Sequence, residues 1–283
     1  MRDDIHHIGR SVLQQGPYND RIYLMHLHPD DAPQLVARLP EMAKQQRYGK
    51  IFAKVPAGLD DLFRNFGFVR EAQIPGYYRG QRNLLLMSRF MREDRAADPQ
   101  MGEIRQLCQS CHQVGLDLPR TLPEDCQLLA LGPQDTPAMA AIYRQVFPDY
   151  PFPIGDPDYL RSCMDSDVDF FGVRRRGQLC ALSSAEKDPS ALAAEMTDFA
   201  TLPGNRGLGL ARHLLDHMET ALEAQGYSTA YTIARGLSAP MNMSYAKAGY
   251  RHGGTLVNNT RMPDGLESMN VWFKPLKAET KAQ

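Results

Sequence analysis

The stretch "PGNRGLGLARHLLDHME" follows a strand-like run, "AEMTDFATL", and passes into a helix with apolar residues at Leu208, Ala211, Leu214, Leu215 and Met218. Its first turn carries Arg206, Gly207 and Gly209 and no acidic side chain. The opening N–H groups of a helix have no partner inside it, and glycines let a bulky group come close to them. A helix start of this kind suits an anion such as a pyrophosphate. The alternative is that the glycines only make a tight strand-to-helix turn. The phosphate loop of nucleotide kinases is excluded, because no Gly-Lys-Ser/Thr is present.

Two acids, Glu195 and Asp198, stand on the strand before that loop, and period-two alternation places them on opposite faces. Cys108, Cys111 and His112 spell "CQSCH", the spacing of a haem attachment site, but they lie in a run that reads as a helix. Zinc would need a fourth ligand; Cys126 could be a third, and no fourth is evident, so no metal is expected. The five cysteines are an odd number and argue against a disulfide framework. With Lys plus Arg at 32, Asp plus Glu at 33 and a net charge of -1, the chain has no general attraction for nucleic acid. The basic cluster at Arg174 to Gly177 reads as a hairpin turn. No apolar run approaches the roughly 20 residues that cross a bilayer. The start, "MRDDIHHIGRSV", lacks the apolar centre of a signal peptide, so the expected location is the cytoplasm.

The elements that must position these groups form a mixed α/β pattern in a chain of 283 residues. From residue 121 onward, strands are expected over 126–131, 168–173, 178–186, 193–202, 227–233, 250–258 and 268–274. Helices are expected over 136–147, 158–164, 207–225 and 239–248, with a proline-rich loop, "PDYPFPIGDP", after the first. The charged stretch "MREDRAADPQMGE" suits a linker. The division is then 1–95, a linker and connecting helix over 96–120, a larger domain over 121–277 and a tail over 278–283. The segments that contain Gly67-Phe68 and Gly249-Tyr250 echo each other: a helix end, glycine, an aromatic, a strand, a turn and a strand. The first part thus reads as a degenerate copy of the second half of the larger domain.

The arrangement Arg206-x-x-Gly209-x-Ala211 resembles motif A of the GNAT N-acetyltransferase superfamily, whose loop holds the pyrophosphate of acetyl-coenzyme A. The order of elements over residues 125–277 is similar to that superfamily's. "VFPDYPFPI", "EMTDFATLP", the C-terminal segment from Ala234 to Leu276, and "YGKIFAKVPAG" and "GFVREAQIPGYYRG" in the first part are similar to the beta-lysine N-acetyltransferase family. The resemblance implies a GNAT acyltransferase fold preceded by a degenerate half-GNAT-like domain. It implies acetyl-CoA as co-substrate and transfer of its acetyl group to the terminal amine of beta-lysine, which yields a compatible solute. It also implies a functional link to a lysine 2,3-aminomutase and leaves a homodimer open. The competing readings are acetylation of another small amine or of a protein amine, and a non-catalytic coenzyme A sensor.

The implied reaction sets its own requirements. An alkyl amine titrates near pH 10.4, so neutralising it at pH 7 costs roughly 4 to 5 kcal/mol, and a base is needed. Glu195, eleven residues before Arg206, resembles the catalytic glutamate of histone-acetylating members of the superfamily; Asp198 is the alternative. Tyr245, four residues before Gly249, resembles the tyrosine that donates a proton to the leaving thiolate. The superfamily's asparagine seven residues earlier is Ser238 here, with Asn242 as a substitute coenzyme contact. Phe199, Ala200 and Thr201 would offer main-chain groups to the pantetheine arm, and residues 206–211, Arg206, Gly207, Leu208, Gly209, Leu210 and Ala211, would hold the pyrophosphate. For the acceptor, Arg235 and Arg251 are candidates for its carboxylate and Asn258, Asn259 and Glu267 for its second amine, with Tyr150 and Phe152 as walls.

Overall fold

The computed structural model describes residues 3–116, 121–148, 150 and 152–276. In the first part, short apolar runs separated by turns form β1 (Asp4–Ile8), β2 (Ser11–Gly16), β3 (Arg21–His26), α1 (Ala32–Gln45), β4 (Lys50–Pro56), α2 (Asp60–Asn65), β5 (Val69–Tyr78) and β6 (Arg82–Phe90). Next come α3 (Glu93–Ala96) and α4 (Met101–His112). The second part begins with β7 (Cys126–Leu131), α5 (Thr136–Val146), α6 (Pro157–Met164), β8 (Val168–Arg175), β9 (Gln178–Asp188) and β10 (Ala193–Thr201). It closes with α7 (Leu210–Ala224), β11 (Thr229–Arg235), α8 (Ala239–Lys247), β12 (Arg251–Met262) and β13 (Gly265–Pro275).

All thirteen strands join one sheet in the order β1-β2-β3-β4-β6-β5-β12-β13-β11-β10-β9-β8-β7. The two parts repeat one another within it. In the first, β1, β2 and β3 are antiparallel neighbours, β3 runs parallel to β4, and β6 and β5 follow antiparallel. In the second, β8, β9 and β10 are antiparallel, β10 runs parallel to β11, and β13 and β12 follow antiparallel. Each parallel pair is connected through a helix, α1 or α7, as a parallel crossover requires.

The parts meet where β5 lies antiparallel to β12 at Ala72 and Gly254. A Cβ on Gly254 would stand 2.3 Å from the Glu71 carbonyl oxygen, so a side chain there would force the strands apart. A buried ion pair crosses the same junction: Lys50 and Glu71 are 2.7 Å apart, Lys50 Nζ donates to the Val257 carbonyl, and the Val257 N–H donates to Glu71. The apolar core there mixes both parts, with Phe52, Ile74 and Leu86 against Tyr231, Leu256 and Val271.

The charged stretch after β6 is not a free linker. Arg95 is buried and pairs with Asp20 at 3.1 Å, Arg92 pairs with the same carboxylate at 2.8 Å, and Asp98 accepts from Ser268. Charge marks exposure only when no partner waits in the fold, and here Asp20 and Ser268 do. The expected tail, 278–283, lies outside the described residues. Among the described residues no helix is long and apolar enough to cross a membrane.

Candidate active site

β10 and β11 pair only from Ala193 opposite Thr229 to Glu195 opposite Tyr231, and beyond that they splay. β10 stays bound to β9 through Thr201, with an irregularity between Thr197 and Ala200 where Asp198 takes a left-handed φ of 57°. The sheet curls so that β3 and β4 come to face β10 and β11: Lys54 Nζ on β4 donates to the Tyr231 hydroxyl at 3.0 Å. Between them lies a cavity of about 500 Å³, lined from both parts of the chain.

Three carboxyl groups point into it: Glu186 on β9, and Glu195 and Asp198 on β10. Glu186 and Glu195 are cross-strand neighbours and therefore share a face. The bulge turns Asp198 to that face as well, which corrects the expectation from simple alternation. Burial raises Glu195 above the usual carboxylate range, against the pull of Lys54 and a hydrogen bond with Tyr231. Burial also raises Glu186, to about 8, with the Glu195 and Asp198 charges adding to it. The surface that Glu186 exposes is cavity wall, so exposure and a crowded surrounding are compatible. Asp198 is raised by burial too, but its oxygens are committed, one to the Tyr150 hydroxyl and the other to Ser184 Oγ at 2.9 Å.

Tyr245, on α8, lies at the splay. It is buried, its hydroxyl donates to the Met196 carbonyl at 3.1 Å, and its ring meets Phe199 edge-on. Burial raises its proton affinity further, so it stays protonated at neutral pH.

Below the splay, Arg206 leads into Gly207 (φ 82°) and Gly209 (φ 70°), and α7 begins at Leu210, three residues later than expected. Left-handed glycines cannot be counted as helix, although their sequence joins the helical run. The start of α7 has no side-chain cap and no acid in its first turn. Among the described residues, the N–H groups of Gly207, Leu208 and Gly209 have no backbone acceptor. A Cβ built on Gly207 meets nothing within 4 Å, so the space at that residue is open.

Several expected contacts are placed elsewhere. Asn242 is fully buried: its Nδ2 donates to the carbonyls of Arg235 and Ser238, and its Oδ1 accepts from Asn270 and Trp272. It fastens α8 to β11 and β13 and has no face for a coenzyme. Arg251 is exposed and lies over the Phe273 ring at 5.1 Å, away from the cavity. Asn258 spends its amide on the Arg95 and Ala97 carbonyls. Arg235 and Glu267 pair with each other, Nε to Oε2 at 2.8 Å, with Arg235 at the cavity's edge. Asn259 does line the cavity, and its buried Oδ1 has no hydrogen-bond partner; Tyr150 and Phe152 line it too.

Sequence reading missed Glu186 and the wall formed by Arg21, Tyr23, Phe52 and Lys54. The available signal was a basic residue within an otherwise apolar strand, as with Arg21 in "RIYLMH" and Lys54 in "KIFAKVP". The cysteine pair is not bridged: all five cysteines are free, and Cys108 Sγ sits 3.6 Å from His252 Nε2. Among the described residues no group of three or more His, Cys, Asp or Glu could hold a metal ion.

A family model described as Acetyltransferase (GNAT) family matches residues 137–250. A beta-lysine N(6)-acetyltransferase of Methanococcus maripaludis is 34% identical over 267 residues, which cover 94% of this chain and 97% of that protein. A beta-lysine N(6)-acetyltransferase of Methanosarcina mazei is 28% identical over 264 residues, 86% of this chain and 97% of that protein. The N-acetyltransferase YodP of Bacillus subtilis is 28% identical over 272 residues, 94% of this chain and 96% of that protein.

Proposed function

This chain belongs to the beta-lysine N(6)-acetyltransferase family within the GNAT acetyltransferases, and from that premise we propose that it acetylates the terminal amine of beta-lysine. It is an acetyl-CoA-dependent N-acetyltransferase, and its product on this reading is N(6)-acetyl-beta-lysine. The observation that carries the reading is one juxtaposition. An open helix start and a splayed strand edge stand beside a cavity whose polar groups suit a charged, diamino acceptor.

The residues fit the coenzyme. When bound, acetyl-CoA supplies a thioester carbonyl for the amine to attack. The amides of residues 207–211 and the Arg206 guanidinium would hold its phosphates, and the free edge of β10 at Phe199, Ala200 and Thr201 would pair with its arm. Asn242 is left out of this set, since its amide is already spent.

Glu195 takes the acceptor's proton, directly or through a water. Its raised proton affinity suits a base that must work near neutral pH, where a carboxylate of ordinary acidity would be too weak. Asp198 is second choice, because both of its oxygens already hold hydroxyl groups and it sets Tyr150 against the cavity. Tyr245 gives its proton to the departing sulfur, for which its hydroxyl must leave the Met196 carbonyl. Asn259 Oδ1 accepts from the acceptor's second amine, and the aromatic walls Tyr150 and Phe152 exclude water.

We further take residues 1–95 as a degenerate GNAT-like domain, 96–120 as its connection and 121–277 as the acetyltransferase domain, which the repeated strand order supports. A cytoplasmic setting accords with five free cysteines. A lysine 2,3-aminomutase would then supply the acceptor. The test is product analysis with acetyl-CoA and a panel of amines. Acetylation of beta-lysine at its terminal amine is expected; modification of peptides alone, or coenzyme binding without any turnover, would overturn the reading.

A further inference from the structure

Arg21 is 7% exposed and lines the cavity from β3. Its Nη1 donates to the Asn259 carbonyl and, at 3.5 Å, to Thr260 Oγ1, both on β12. Its buried Nε has no hydrogen-bond partner. Among the described residues no carboxylate comes within ion-pair distance of it, whereas Lys50 pairs with Glu71 and Arg95 with Asp20. The guanidinium also lies over two rings, 5.1 Å from the centre of Tyr23 and 5.8 Å from that of Phe52, and these fix its plane.

An unpaired buried guanidinium is costly to keep, because its lost hydration is not replaced. Burial lowers its proton affinity to about 10, against the pull of Tyr23 and Asp3. A purely structural tie between β3 and β12 would need only the Nη1 donor, and a neutral amide would serve. A charged group that lines the cavity with no carboxylate beside it calls for an anion that arrives from outside. The acceptor of the proposed reaction brings one, its carboxylate.

We propose that Arg21 binds the carboxylate of the acceptor amino acid, so that the N-terminal half of the chain sets acceptor specificity for a transfer performed by the other half. The inference rests on the acceptor reading above, and it replaces Arg235 and Arg251, whose charges are engaged at the cavity's edge or lie outside it.

The experiment compares kcat/KM for beta-lysine and for beta-lysinamide, in which the carboxylate is a neutral amide, with acetyl-CoA binding and melting temperature as controls. Wild type should prefer beta-lysine on the order of 100-fold, as a charge-assisted, planar contact allows. Arg21→Gln should lose that preference while its rate on the amide stays within a few-fold of wild type, and Arg21→Lys should keep part of it. Equal losses on both substrates at unchanged coenzyme binding, or a wild type that does not distinguish them, would overturn the proposal. If Arg21→Gln does not fold, Arg21→Lys carries the test, and an undiminished preference in that variant counts against the proposal. Should wild type acetylate a different amine, the function reading fails alone. Arg21 is then judged on that amine with and without its carboxylate, and an acceptor without a carboxylate sinks it.

Discussion

At the start of α1 stand His28, Pro29, Asp30 and Asp31, where the start of α7 carries Arg206, Gly207, Leu208 and Gly209. Both helices join the parallel strands of the same motif, and their first turns are opposites. Asp31 accepts from the Arg10 N–H and from Ser11 Oγ, each at 2.8 Å, and the His28 ring accepts from the Asp30 N–H. The first start is closed by the protein's own groups and carries negative charge; the second is bare and glycine-lined. The difference continues along the strands. Tyr23 faces Phe52 in the register where Glu195 faces Tyr231, and Phe63 precedes Gly67 by the four residues that separate Tyr245 from Gly249. The groups we propose as phosphate cradle, base and proton donor have no counterpart at the matching positions of the N-terminal half, while its strand order is the same. A shared topology supplies a curved wall, and a few side chains decide whether that wall carries a donor site or only encloses one.

Making the start of α7 resemble that of α1 should have the largest effect. Gly209→Glu places a carboxylate against the phosphates at a left-handed position, and acetyl-CoA affinity measured by calorimetry should fall on the order of 100-fold or more. Affinity equal to wild type would erase the distinction between the two helix starts. Next comes the strand. Glu195→Gln should lower turnover at pH 7 by roughly 100-fold, and much of the loss should return as pH approaches about 10, where solvent supplies the neutral amine. Tyr245→Phe should cost less, about tenfold, with no recovery at high pH, since it removes an acid and not a base. Wild-type turnover of Glu195→Gln from pH 7 to 10 would eliminate it as base and move the same test to Asp198.

The smallest effect is on stability. Glu186 binds its proton up to about pH 8 in the folded chain, against an ordinary value of 4.5. Between those values the unfolded chain holds fewer protons, so this group's contribution is present below about pH 4.5 and is lost as pH rises towards 8. Glu186→Gln should flatten that decline and raise the melting temperature at pH 8 by a few degrees, about what 1 kcal/mol gives for a chain of this size. An unchanged slope of melting temperature against pH would mean that Glu186 titrates as an ordinary carboxylate, and the three acids would no longer form one unit.

Local pattern made the second half of the chain legible almost strand by strand, because its alternation and its helical stripe report burial directly. The glycine-lined start of α7 was legible for the same reason: the absence of acids and caps is written in consecutive residues. Asp198 was misplaced because a bulge shifts the face of every later residue, and a left-handed φ at an aspartate leaves no mark in the pattern. Asn242, Arg251 and Asn258 looked like site residues because they are polar and near the right motif. Only the fold shows that buried carbonyls, an indole and a ring have claimed them. Arg21 and Lys54 escaped notice for the converse reason, since they reach the cavity through curling of the sheet, a long-range property.

The central claim is that donor and acceptor meet between two halves of common topology, with the donor held by only one of them. A crystal structure with coenzyme A and N(6)-acetyl-beta-lysine tests it most directly. The account predicts phosphates on the amides of residues 207–211, the acetylated amine beside Glu195 and the Met196 carbonyl, and the rest of the product in the cavity against β3 and β4. Phosphates on the start of α1, or a product bound outside that cavity, would contradict it.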